Sequence, residues 1–110
     1  RTKQLGLMSC PGILTPTEGF AALAAGADML KLFPADIVGP SGVKALRAVL
    51  PADVKLAAVG GVGPGKLSVW AEAGITAFAI GSSLYKPCMS SADVGAVARQ
   101  LVAEYDGLAR

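Results

Sequence analysis

One lysine in this sequence stands where an amine could do covalent chemistry. The stretch Met29-Leu30-Lys31-Leu32-Phe33 runs into Pro34 with that lysine at its centre. Read as a strand, it puts Met29, Lys31 and Phe33 on one face and Leu30 and Leu32 on the other. An ammonium with apolar residues on both sides is costly unless it gains a partner or gives up its proton. A desolvated lysine has a lowered pKa, which makes it a usable nucleophile towards carbonyl compounds. The plain alternative is a lysine whose stem lies along the surface while its head reaches water. Phe33 and Pro34 follow on the same side, where Phe33 could wall an imine pocket or simply pack.

Other residue types narrow the chemistry further. The chain has no histidine, which excludes His-based metal sites and Ser-His-Asp triads within it. Cys10 and Cys88 lack CxxC spacing and read as free thiols in a reducing, cytoplasmic setting, with Cys10 a buried structural thiol on a strand. Asp36, Asp53 and Glu72 read as turn or surface charges. Lys3, Lys44, Lys55, Lys66 and Lys86 fall at element edges or on helix surfaces, where a solvated role is expected. Two glycine turns, Gly60-Gly61-Val62 and Gly81-Ser82-Ser83, are the remaining feature. Glycine lets backbone N–H groups approach an anion, a following helix start adds a favourable dipole, and Ser82 or Ser83 could donate a hydroxyl. Glycine turns are also common after strands, so each alone is a weak signal.

The elements that must position these residues alternate regularly. Leu5 to Cys10 reads as a first strand ended by Pro11-Gly12. Thr15-Pro16-Thr17-Glu18 is a capping box with proline at the first helical position, and Phe20, Leu23 and Ala24 line a helix closing at Gly26. Met29 to Phe33 is the second strand, and Ser41 caps a helix that Pro51 stops. Val54 to Val59 is the third strand. Pro64 opens a helix with Leu67, Trp70 and Ala71 inward, ended by Gly74. Ala77 to Ile80 is the fourth strand, and Ser90 or Ser91 caps a last helix striped by Val94, Val97, Ala98, Leu101, Val102, Tyr105 and Leu108. This α/β pattern of four consecutive βα units argues for a parallel sheet with right-handed crossovers. One sheet face is bulky (Leu30, Leu32, Leu56, Phe78, Ile80) and the other small (Ala57, Val59, Ala77, Ala79), which leans towards part of a closed barrel rather than an open sheet with two helix layers.

Composition agrees with one packed segment, residues 1–110. The 53% apolar content excludes disorder, and a net charge of +2 with both signs dispersed gives no nucleic-acid patch. No apolar stretch reaches the ~20 residues of a membrane span, and the first residues carry no segment long enough for a signal peptide.

Leu30-Lys31-Leu32-Phe33-Pro34 resembles the Schiff-base lysine segment of the class I aldolases that cleave 2-keto-3-deoxy-6-phosphogluconate and its phosphogalactonate isomer. Cys10-Pro11-Gly12, Thr15-Pro16-Thr17-Glu18, Gly39-Pro40, Ala58-Val59-Gly60-Gly61-Val62 and Ile80-Gly81-Ser82-Ser83-Leu84-Tyr85 continue the likeness in order, with wording closer to the phosphogalactonate branch. The resemblance implies the C-terminal half of a (β/α)8 TIM-type barrel and a metal-independent, cofactor-free aldehyde-lyase. Lys31 would form the imine with the C2 ketone of a phosphorylated 2-keto sugar acid, and pyruvate and glyceraldehyde 3-phosphate would leave. Phe33 and Pro34 would flank the substrate, and Gly60, Gly61, Val62, Gly81, Ser82 and Ser83 would hold its phosphate, in the loops where such barrels bind one. It also implies a homo-oligomer, commonly a trimer. The glutamate acid/base and the carboxylate-binding arginine of related enzymes match no position here, so a complementary N-terminal half is expected to supply them. Two alternatives stay open: a non-catalytic half barrel that binds phosphate, and a lyase for another 2-keto acid such as 4-hydroxy-2-oxoglutarate. The choice between C4 epimers stays open as well.

Overall fold

Strand and helix alternate along the chain because short apolar runs are separated by amphipathic segments, the first and last of which start in side-chain capping boxes. The structure is a computed structural model and describes residues 1–108. A 3-10 turn at Lys3–Leu5 leads to β1 (Gly12–Ile13), α1 (Pro16–Ala24), β2 (Leu30–Leu32), α2 (Ala35–Arg47), β3 (Leu56–Val59), α3 (Leu67–Glu72), β4 (Ala77–Ala79) and α4 (Ser91–Asp106). The four strands pair in parallel in the order β1-β2-β3-β4. Sequential parallel neighbours joined by helices are successive βα units, and the fold is half of a (β/α)8 barrel.

Register sorts the two faces of the sheet. Lys31 lies beside Gly12 and Ala57, and Ala57 lies beside Ala77. Val59 and Ala79 continue that face, so small residues surround the lysine, as the sequence pattern predicts. The opposite face carries Ile13, Leu30, Leu32, Leu56 and Ala58, all buried under the helices with Val43, Leu46, Leu67, Trp70 and Leu101. Phe78 packs at the edge of this core and meets Tyr105 of α4 edge-on, with ring centroids 6.2 Å apart.

Three boundaries differ most from the sequence reading, while β2, β3 and β4 are each one or two residues shorter than read. The first strand is Gly12–Ile13, not Leu5 to Cys10; the segment before it is held to the start of β2 instead. Asp28 accepts from Lys3 Nζ at 2.5 Å and from the Ser9 amide at 2.7 Å, and those bonds use the local backbone differently from a ladder. Cys10 is accordingly exposed, not a buried thiol. The helix after β2 begins at Ala35, immediately behind Pro34, and breaks at Gly39 (φ 66°, ψ 170°) before resuming at Pro40. Ser41 therefore sits inside the second stretch and caps nothing, because proline is already suited to its first turn. Helix α3 begins at Leu67 rather than at Pro64.

The other end signals act as expected. Glu18 Oε2 accepts from the amides of Leu14 and Thr15, both at 2.8 Å, while the Thr15 hydroxyl accepts from the Glu18 amide. Ser90 and Asp93 form the same reciprocal box at the start of α4. At the N-terminal ends of the strands, Arg47 donates to the carbonyls of Gly74 and Val54 and so ties α2 to the turns entering β3 and β4.

Candidate active site

Lys31 is the middle residue of β2, one position from the end that points to the loops, and it is half-buried. Its stem crosses the bare backbone of Gly12, where a Cβ would lie 3.5 Å from Lys31 Cε. Among the described residues no carboxylate pairs with it. Phe33, one face-step further on, is 53% exposed, so these four units alone do not keep the lysine face dry.

The loops after β2, β3 and β4 come together at that same end. A cavity of about 180 Å³ is lined by Phe33, Gly60, Gly61, Val62, Gly81, Ser82 and Ser83, with Val59 and Ala79 below. Every residue expected in the two glycine loops is therefore in one pocket, and Phe33 joins them. Pro34 is not in its lining but stands behind Gly60, where a Cβ would be 3.4 Å from Pro34 Cα. Val62 is buried and anchors its loop to the core from below. Leu84 and Tyr85 donate to the Gly81 carbonyl at 2.9 and 3.1 Å, which winds Gly81–Tyr85 into one helical turn. The first amides of such a turn, here those of Ser82 and Ser83, have no acceptor inside it.

Backbone conformation and close packing require two of these glycines. Gly60 and Gly61 lie at φ +94° and +71°, which side chains rarely adopt. A Cβ on Gly61 would collide with the side chain of Asp36, outside the pocket rather than within it. Asp36, read from sequence as a surface charge, thus abuts the outer side of the loop; only its place one turn after the lysine strand could have signalled this. Gly81 is different, since a Cβ there meets nothing within 4 Å and its φ lies outside the left-handed region.

The starts of α3 and α4 are already occupied by side chains. The amides of Gly65 and Leu67, at the entry to α3, both donate to Glu104, and Ser90 and Asp93 cap α4. The polar groups that line the pocket belong to the two loops, Gly60–Gly61 and Gly81–Ser83.

Carboxylates near the lysine are few. Glu18 stands on the same rim, but the Leu14 amide, then the Thr15 amide and hydroxyl, hold its carboxyl below the usual range. Such a group stays ionised at neutral pH and is a poor proton donor. No metal-binding cluster of His, Cys, Asp and Glu occurs among the described residues. No helix among them is long and apolar enough to cross a membrane.

Comparison with known proteins places this geometry in a family. A probable 2-dehydro-3-deoxy-6-phosphogalactonate aldolase of Rhizobium meliloti (strain 1021) is 52% identical over 103 residues, covering 94% of this chain and 49% of that protein. The 2-dehydro-3-deoxy-6-phosphogalactonate aldolase of Escherichia coli (strain K12) is 51% identical over 81 residues, covering 74% of this chain and 40% of that protein. A solved structure described as native KDPGal superposes with a TM-score of 0.88 at 44% identity, over 92% of this chain and 49% of that one. The chain thus spans about half the length of the curated relatives it matches. The model for the family described as "Aldolase: KDPG and KHG aldolase" matches residues 2–100, and the chain belongs to that family.

Proposed function

We propose that these four units carry the Schiff-base lysine and the phosphate seat of a class I aldolase acting on a 2-keto-3-deoxy-6-phospho sugar acid. The observation that carries the reading is the placement of Lys31 on the small-residue sheet face, below a glycine-and-serine pocket built from the next two strand-to-helix loops. The two relatives' names favour the phosphogalactonate isomer. Lys31 attacks the C2 ketone and loses water to form an iminium; the iminium draws electrons from the C3–C4 bond, which breaks to an enamine and an aldehyde. Protonation of the enamine and hydrolysis of the imine release pyruvate and the free lysine. The glyceraldehyde 3-phosphate end rests against Gly60-Gly61 and Gly81-Ser82-Ser83. Phe33 walls the space between. Residues 1–110 form the C-terminal half of the barrel, and a further four βα units supply the proton-transfer carboxylate and the cation for the substrate carboxylate. Homo-oligomerisation and a cytoplasmic setting accompany this reading.

The test is reduction of the complete enzyme with borohydride in the presence of pyruvate. A reduced three-carbon adduct is expected on the Lys31 peptide and on no other lysine. Turnover is expected to survive exhaustive chelation, as an imine mechanism needs no cation to stabilise an enolate. Activity lost with chelator and regained with a divalent ion would mean a metal-dependent route.

Gly81→Asp tests the phosphate seat. The new side chain enters open pocket space without strain and sets a carboxylate against the phosphate. Like charges brought together cost several kcal/mol, so KM for the phosphorylated substrate should rise about a hundredfold or more. The non-phosphorylated sugar acid should be affected far less. Equal loss for both substrates would assign the loop a structural role only.

A further inference from the structure

We infer that Glu104, on α4, is a positioning residue for the phosphate pocket: it holds the turn carrying the Gly60–Gly63 loop and so sets affinity for the phosphorylated end of the substrate. The inference rests on the reading of that pocket as the phosphate seat. Glu104 Oε2 accepts from the Gly65 amide and Oε1 from the Leu67 amide, each at 2.7 Å. The donors flank Lys66 and lie 39 and 37 residues away in the chain, so this is no local cap. Helix α3 has no side-chain cap of its own. A serine or aspartate at its start would stabilise the helix equally well but would leave the loop untied to α4.

Three contacts carry the tie from Glu104 to the pocket. The Lys66 amide donates to the Gly63 carbonyl at 3.2 Å, closing a turn in which Gly65 lies at φ +77°. Gly63 is buried against the next loop so closely that a Cβ would stand 2.8 Å from Ser83 Oγ. Gly60 and Gly61, three and two residues upstream of Gly63, line the pocket together with Ser83. A shift of the Gly63–Leu67 turn therefore cannot leave either wall of the pocket in place. Glu104 also spends both its oxygens on amides, so its negative charge is directed into the turn and not at the anion.

The test compares complete enzymes. Glu104→Gln keeps one carbonyl acceptor but sets an amino group against the second N–H, a small perturbation that leaves the side chain's size unchanged. KM for the phosphorylated substrate should rise about tenfold, the scale of a modest misplacement of a binding group. Values for the non-phosphorylated sugar acid should stay essentially unchanged, and inhibition by inorganic phosphate should weaken in parallel. Glu104→Ala should act in the same direction and further. The rise in melting temperature that phosphate gives the unsubstituted enzyme should shrink in both variants. A lowered melting temperature with an unaltered preference between the two substrates would make Glu104 merely structural and overturn the inference. Should the unsubstituted enzyme show no preference for phosphate and no inhibition by it, the pocket reading itself fails, and the inference with it.

Discussion

Replacing Lys31 by alanine or arginine should abolish aldol cleavage in the complete enzyme, by roughly a thousandfold or more, as loss of a covalent nucleophile does. Arginine keeps the charge and much of the stem, yet a guanidinium stays protonated and cannot form the imine. The surroundings of Lys31 make the two variants informative. Its neighbours on the sheet face are Gly12 and Ala57, so shortening it disturbs little packing. Leu30 and Leu32, which do hold the core, point the other way and are fully buried. Both variants should therefore fold, melt close to the parent and bind phosphate. The other lysines offer no substitute: Lys3 is paired with Asp28, and Lys44, Lys55, Lys66 and Lys86 are exposed. Rates of pyruvate release and the mass of the borohydride-reduced peptide are the measurements. An active Lys31→Ala enzyme, or an adduct on another lysine, would remove Lys31 from the mechanism.

Much of this arrangement is legible in the sequence, because period-two and helical patterns are local. The alternation of Leu30 and Leu32 with Lys31 places the lysine opposite the core, and the small set Ala57, Val59, Ala77 and Ala79 falls on its face as the register requires. The boxes Thr15–Glu18 and Ser90–Asp93 mark true helix starts because donor and acceptor lie three residues apart. Where long-range bonds decide, pattern fails. Leu5 to Cys10 has the composition of a strand, but Asp28 claims the Ser9 amide and Lys3, and the ladder begins only at Gly12. Ser41 has the chemistry of a cap, but Gly39 and Pro40 set the break before it.

The site divides in the same way. Glycines after β3 and β4 are visible as letters, and their convergence on one pocket with Phe33 follows once parallel neighbours are accepted. That Gly61 is pressed by Asp36, and that Glu104 closes the entry to α3, depends on contacts spanning 25 and about 40 residues, for which no spacing rule exists. Glu18 is the opposite case: its hydrogen bonds to Leu14 and Thr15 commit it to the helix cap that the Thr15–Glu18 spacing already marks.

Residues 1–110 expressed alone should show no measurable aldol cleavage and should not remain a monomer. The sheet ends at β1 on one side and β4 on the other, and each outer edge offers unpaired backbone groups to any neighbouring strand. The Lys31 face, which a closed barrel would fill with side chains from opposite strands, is open: Ala79 is exposed, Val59 and Ala77 are half-buried, and Phe33 is 53% exposed. Leu7 and Met8, beside the β1 edge, are 56% and 72% exposed. Water reaches the lysine in this state, so the dry site that favours imine formation is missing. Proton transfer fails for a separate reason. All eight side-chain carboxylates lie elsewhere in the network, and among the described residues none forms an ion pair with Lys31. Glu18, Asp28, Asp93 and Glu104 are committed to backbone amides, Asp36 abuts Gly61, and Asp53, Glu72 and Asp106 are exposed. Sedimentation and a coupled pyruvate assay on the isolated segment measure both effects. Aggregates, or pairs formed through the open edges, with cleavage restored on adding a segment that supplies the four remaining units, are expected. A soluble 11.0 kDa monomer turning over at the rate of the complete enzyme would overturn the half-barrel requirement and the need for an outside acid/base together.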